Sequence, residues 1–482
     1  MSQQLALGVY GAFIIGLFFL DIRRRAGISP ALWLVVAWVM IFGSRPVSAW
    51  LNLGGANEIS QNELDGNPVD RNVFLFLILA ALVVLKRRNV NWQKLFSNNR
   101  WLFILYAYLA LSAVWSDYGF VSFKRWFKDF GNVIMVLLIL TEQYPVRAVQ
   151  AVFARVAYLY IPLSVLFIKY FPALGKSFSV WTGNVFYHGA SLGKNELGSA
   201  LLVLTLFLVW EIVQMSRMPL GGWRKVEIAR NALLLVMAVW LFRQANSATS
   251  LACVVVGSIV LAALSTDFVK KRLRAVIGWS LAGAAALLLL STTVDLKSNV
   301  AEMLGRDPTL HGRTAIWETV LAEKTNPLIG TGYYTFWMGG RAEKIAEKNG
   351  YVALLNQAHN GYLEMYLNAG AIGLLLLIGF LLSGLKRIAR QLLTDPDWGG
   401  MKLVCCLIVA IHNWSEASFF ISGPLWFVLL LVAVNYRHAS QKARRPVPVS
   451  VSIDPEQAGR ETVPVPGSSG AFAKNTQVYS PE

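Results

Sequence analysis

Long stretches of the chain are apolar and nearly free of charge, as at 5–20, 73–85, 251–264, 275–290 and 370–382. Such runs suit helices surrounded by lipid, because a helix satisfies its backbone polar groups within one segment. Several are short for a full crossing, and flanking Trp, Tyr and small polar residues extend them at headgroup depth. The pattern predicts an all-α, polytopic transmembrane bundle of about 12–13 spans, with the N-terminus outside on a count of about thirteen.

Composition agrees with this. At 482 residues, 55% hydrophobic and 15% charged, the chain is too apolar for a water-soluble fold. The net charge of +17 raises nucleic acid as a ligand. However, the basic residues fall in short clusters between apolar runs rather than along one soluble face, so no nucleic-acid partner is expected. The first apolar run follows residues 1–4 without a basic leader and ends at Arg23, Arg24 and Arg25, as an uncleaved anchor would. Cys253, Cys405 and Cys406 all lie inside apolar runs, which suits small core residues better than disulfides or thiolate metal ligands.

Lys and Arg alternate between rich and poor gaps. The rich gaps, 23–25, 86–100, 217–230, 270–274, 386–390 and the tail from 437, are assigned to the cytoplasm. Those between, 44–71, 116–129, 171–195, 244–250, 297–358 and 413–422, then face the other side. The gap at 141–147 is only weakly basic, so its flanking runs could tilt or re-enter. Residues 1–436 are expected to form one transmembrane domain, including an outward loop at 293–358. Residues 437–482, rich in Pro, Ser and charge, are expected to be a disordered cytoplasmic tail.

Polar residues at the outer ends of the spans carry the candidate chemistry. Arg243 ends an apolar run ahead of a polar bend at 244–250, either as an interfacial cation or as an anion contact. Phe120, Phe123, Phe127 and Phe130 recur at helical spacing while Lys124, Arg125 and Lys128 fall elsewhere on the turn, which predicts an interfacial helix over 118–130. Its bases would meet phosphates of bulk lipid or of a lipid-linked substrate. In the large loop, a short helix is expected from about Arg313, a turn at 327–332 and a second charged helix over 341–348. A loop of roughly sixty residues is long enough to fold as a lid.

His359 is placed at a helix start, sharing a face with Tyr362, Tyr366 and Gly370, where a small residue would let another helix come close. A helix N-terminus favours the neutral imidazole, which suits a general base as well as a simple interfacial cap. Glu416, within His412-Asn413-Trp414-Ser415-Glu416, needs a partner at that depth: Arg243, Arg313 or His359. A structural ion pair and a catalytic role both fit. Together the cations imply an anionic ligand, the apolar helices a lipid on it, and the base an acceptor hydroxyl. The chemistry is then group transfer without a metal or other cofactor, in which Arg steadies a diphosphate leaving group.

These residues resemble the O-antigen ligase and polysaccharide polymerase superfamily. The resemblance rests on Gly-Arg-Asp-Pro-Thr-Leu-His-Gly-Arg-Thr-Ala-Ile-Trp (305–317) with Pro-Leu-Ile-Gly-Thr-Gly-Tyr (327–333), and on His359 with ten residues before Gly370. Gly-Lys-Asn-Glu-Leu-Gly (193–198) and 413–416 are most similar to the exopolysaccharide-production branch. What it implies is a bacterial inner-membrane enzyme with a periplasmic loop and site, an undecaprenyl diphosphate-linked oligosaccharide as donor, and inversion at the anomeric carbon. By the same resemblance His359 would be the base and Arg313 and Arg243 would hold the diphosphate, with Lys194 a further candidate. Glu416 joins the catalytic set; Lys124, Arg125, Asn195, Trp317 and Tyr362 are candidate substrate contacts. Two departures stand out: Gly193 occupies a place where the branch often has His, with His188 the nearest, and Trp317 stands where ligases often have Leu.

The favoured reading is a polymerase joining lipid-linked repeat units, working beside membrane lipids and other polysaccharide assembly and export proteins. Alternatives are a ligase moving finished glycan to lipid A core or protein, and a transporter or flippase with Arg243, Glu416 and His359 as an ion relay.

Overall fold

The computed structural model describes residues 1–436 apart from 25–26, 54–65, 179–182, 220, 273–312, 351–354 and 420–422. The span expected at 275–290, the first part of the loop motif (305–312) and the tail at 437–482 lie outside the described residues. The helices are α1 (Gln3–Arg24), α2 (Leu32–Gly43), α3 (Pro68–Arg87), α4 (Arg100–Leu111), α5 (Gly119–Leu140), α6 (Pro145–Tyr170), α7 (Lys194–Ser216), α8 (Gly222–Ala245), α9 (Ala248–Ser265), α10 (Arg313–Ala322), α11 (Arg341–Lys348), α12 (Gly361–Thr394), α13 (Pro396–Ser415) and α14 (Pro424–Ala433). Short helical turns join some of them, and β1 (Lys176–Phe178) pairs antiparallel with β2 (Val185–Tyr187), a hairpin the hydrophobic pattern does not predict.

Among the described residues, six helices are long and apolar enough to cross a membrane. The chain is therefore a polytopic, all-α membrane protein. Helices α2, α4 and α14, at 12, 12 and 10 residues, are shorter than a crossing of about 20 residues. Helix boundaries follow local chemistry. Asn67 accepts from the Val69 N–H ahead of Pro68, with Asp70 in the first turn of α3 and Lys86 and Arg87 in its last. Asp395 caps α13 at Trp398 N, with Pro396 at the first helical position.

The core centres on α14, whose residues 425–433 are all buried. A polar network crosses it: Asp129 accepts from Tyr106 Oη (2.8 Å), Trp426 Nε1 (3.1 Å) and Asn132 Nδ2 (3.0 Å), and Asn132 Oδ1 accepts from Trp38 Nε1 (2.8 Å). This ties α2, α4, α5 and α14 with satisfied bonds, as a carboxylate at such depth requires. Elsewhere Asp21 pairs with Arg155, and Glu211 and Glu227 with Arg230, joining α1 to α6 and α7 to α8.

Two expectations are corrected. Residues 118–130 are not a separate interfacial helix but the opening of α5, which runs unbroken from Gly119 to Leu140. Its Phe120, Phe123 and Phe127 are exposed, while Asp129 and Asn132 commit the following turn to the core. The second correction concerns Gly370. It does not admit a neighbouring helix; it breaks α12, with φ 65 and ψ −171.

What meets the break is the turn at 327–332. Ala371 and Ile372 N–H groups, deprived of their helical acceptors, donate to Pro327 O (2.9 Å) and Leu328 O (3.1 Å). The carbonyls left behind are taken as well: Leu367 O accepts from Thr331 N (3.2 Å), Asn368 O from Gly332 N (2.9 Å) and Ala369 O from Tyr108 Oη (2.7 Å). Irregular backbone is tolerated at membrane depth where protein groups re-satisfy it, as here. A Cβ on Gly370 would stand 2.2 Å from the Leu328 carbonyl.

Gly370→Ala therefore meets both backbone strain and a clash, and should destabilise the protein by roughly 2 kcal/mol or more. Thermal unfolding in detergent checks this. Gly8→Ala, with open space around it inside helix α1, should not lower the midpoint; equal midpoints for both variants would remove the docked turn from the account of stability.

Candidate functional site

The sequence ending α13 and the one beginning α12 meet at Glu416. Helix α13 stops after Ser415, and the Glu416 N–H still donates to His412 O (3.0 Å), so the carboxylate leaves the helix end in a fixed direction. Helix α12 starts at Gly361, capped by Asn360 Oδ1, which accepts from Tyr362 N (3.0 Å) and Leu363 N (3.1 Å). Gly361 is required because a Cβ there would lie 2.0 Å from Asn413 Oδ1. His359 thus precedes the helix instead of sitting in its first turn, with φ 52.

One carboxylate organises the cluster. Glu416 Oε1 accepts from Arg313 Nη2 (2.8 Å), and Oε2 accepts from His359 Nδ1 (3.1 Å) and Asn195 Nδ2 (3.4 Å). Arg313 Nη1 also donates to Ser415 O. A carboxylate on Nδ1 places the ring proton there and leaves Nε2 with its lone pair. Nε2 has no hydrogen-bond partner among the described residues, and the His359 side chain is 24% exposed. Burial alone would favour the neutral acid at Glu416, but the His359 hydrogen bond and the Arg313 charge outweigh it and hold the carboxyl below its ordinary range.

The arrangement can keep the imidazole oriented beside a guanidinium. It is braced by His412, whose Nδ1 and Nε2 meet Ser418 Oγ (3.2 Å) and Ser250 Oγ (3.4 Å), and by a Thr249–Ser415 hydroxyl contact (3.1 Å). Helices α7 and α9 begin here without side-chain caps, which leaves amide N–H groups at the same end of the bundle.

Of the residues singled out in the sequence, the structure brings His359, Arg313, Glu416 and Asn195 together. Lys194 adjoins Asn195 and lies 4.5 Å from the Phe186 ring. Trp317 and Tyr362 border the cluster with their polar atoms committed, Trp317 Nε1 to Ala358 O (2.8 Å) and Tyr362 Oη to Ala410 O (3.1 Å). Arg243, at the end of α8, is exposed and has no hydrogen bond or ion pair among the described residues, so Arg313 and His359 are the partners of Glu416. Lys124 lies over Phe120 (5.0 Å), and Arg125 donates to Tyr334 O. His188 is held apart by Ser191 O (2.9 Å) and Arg45 (3.4 Å); burial and the neighbouring guanidinium lower its pKa. Sequence reasoning passed over Glu364, a carboxylate five positions beyond His359 that binds the backbone at Ala358. Its position within the first turn of α12 was the available signal.

Residues 231–378 match a family model described as O-antigen ligase. The stretch contains Arg243, Arg313 and His359 but neither Asn195 nor Glu416. The exopolysaccharide production protein ExoQ of Rhizobium meliloti (strain 1021) is 23% identical over 327 residues, covering 64% of this chain and 71% of that protein. Both findings bear out the resemblance carried by the loop motif and the His359 to Gly370 spacing.

Glu416→Gln should cost about 1–3 kcal/mol at neutral pH, since Arg313 and His359 lose the charge they share. Because the folded carboxyl titrates below its unfolded value, this stabilisation is present above the unfolded pKa and disappears as pH falls through the folded one. Thermal midpoints of wild type and variant should therefore differ at pH 7 and begin to draw together only as pH falls below about 4.3, the ordinary glutamate value. A constant gap across that range would show that the pair is not what Glu416 contributes.

Proposed function

Because this chain carries an O-antigen ligase-family region in a multi-pass membrane protein, we propose that it is a glycosyltransferase that polymerises lipid-linked repeat units of an exopolysaccharide. The observation that carries the reading is the single carboxylate of Glu416 holding His359 on one oxygen and Arg313 on the other. The domain spans 1–436 in the bacterial inner membrane, with loop 293–358 and the site facing the periplasm and a cytoplasmic tail at 437–482.

His359 Nε2 takes the proton of an acceptor sugar hydroxyl, and the freed oxygen attacks the anomeric carbon of the donor. The bond from that carbon to the undecaprenyl diphosphate oxygen breaks, the diphosphate leaves with the electron pair, and the configuration inverts. Arg313, Arg243 and Lys194 face the charge gained by the leaving group, the role a divalent ion fills elsewhere. Lys124 and Arg125, at the start of α5, meet the phosphates of the donor lipid, while Asn195 and the rings of Trp317 and Tyr362 border the sugars. The ExoQ likeness favours a second lipid-linked repeat unit as acceptor over lipid A core.

Purified protein supplied with lipid-linked repeat units should make longer glycans, with or without chelator. His359→Ala should slow this by about 10²–10⁴-fold while the protein still inserts. Arg313→Lys should also fail, because Lys lacks the planar fork that reaches Ser415 O and Glu416 together. Wild-type rates from His359→Ala would exclude the imidazole as base. Loss of chelated activity would exclude the metal-free route.

A further inference from the structure

We propose that Glu364 is a positioning residue for His359, acting through the peptide groups of Ala358; this rests on the assignment of His359 as base. Ala358 directly precedes His359 and is fully buried. Its N–H donates to Glu364 Oε1 (2.5 Å), and its carbonyl accepts from Trp317 Nε1 (2.8 Å). Both peptide planes around Ala358 are thereby fixed, one by each bond.

That restraint matters because His359 has φ 52, a left-handed backbone that costs a residue with a Cβ about 1–2 kcal/mol. Released, the chain would relax toward negative φ, and rotation about that bond swings the whole side chain. The 3.1 Å contact from Nδ1 to Glu416 could not survive it. The left-handed turn is therefore a conformation that neighbours impose.

Glu364 is suited to impose it. Its Oε1 also accepts from Trp337 Nε1 (2.8 Å) and its Oε2 from Asn368 Nδ2 (3.2 Å), while Asn368 Oδ1 accepts from Phe336 N (3.1 Å). Glu364 forms no ion pair among the described residues, and its bonds lead to backbone, indole and amide N–H groups around the segment entering α12. Arg313 and Trp317 are four residues apart on α10, so one helix face reaches both Glu416 and Ala358. The docking of α10 and the orientation of the imidazole are thus set by the same contacts.

The test compares full-length Glu364→Gln, Glu364→Leu and Trp317→Phe in the glycan-extension assay, measuring kcat, donor KM and their pH dependence. Gln keeps an acceptor for Ala358 and Trp337, so its kcat should stay within about fivefold of wild type with an unshifted pH profile. Leu should lower kcat about 100-fold with donor KM nearly unchanged, since a base misplaced by about an ångström loses that much. Trp317→Phe, which removes one N–H and keeps the ring, should lower kcat about tenfold. A Gln variant as slow as Leu, or with a shifted pH profile, would overturn the proposal by giving the carboxylate a direct part in proton transfer. Wild-type kcat in Leu would overturn it too, and if Leu does not fold, wild-type kcat in Trp317→Phe does the same. His359→Ala separates the two readings: if it is active, the base assignment fails, whereas an inactive His359→Ala beside fully active Glu364→Leu and Trp317→Phe sinks only the positioning role.

Discussion

A backbone inside a bilayer has no water to turn to, and the exchange of hydrogen bonds between the turn at 327–332 and the broken helix at Gly370 meets that constraint. Helix α12 gives up two N–H groups and three carbonyls at its break, and the turn together with Tyr108 takes all five. The turn is therefore built into the bundle. Trp337 follows that anchoring point and donates to Glu364, so the chain leaving the turn also reaches the start of the same helix, beside His359.

Much of this architecture could be read from the sequence. Apolar runs located the helices, and the Arg313 helix, the 327–332 turn and the 341–348 helix follow from Gly, Pro and charge. The need of Glu416 for a partner was also legible, because an ionised group at that depth is costly alone. Which partner it takes was not, since Arg243 and Arg313 satisfy the same electrostatic demand and only packing separates them. Gly370 misled for a related reason: in an apolar run a glycine reads as a packing notch, and nothing local shows that a distant turn supplies the missing hydrogen bonds.

Where bases follow one another, charge patterning also misdirected. Lys124, Arg125 and Lys128 made 118–130 look like a surface helix, yet α5 continues through it because Asp129 and Asn132 have buried partners in α2, α4 and α14. Those partners lie up to 297 positions away along the chain, beyond any periodicity. Three-residue strands such as β1 and β2 leave no repeat long enough to detect.

Four separated stretches of chain supply Asn195, Arg313, His359 and Glu416, and the two that flank the stretch matched by the family model contribute the amide and the anion. A fragment trimmed to 231–378 would retain the imidazole of His359 and the guanidinium of Arg313 without the one carboxylate that holds them both. The smallest unit that assembles this cluster is therefore larger than its most recognisable segment, and has to include the beginning of α7 and the end of α13.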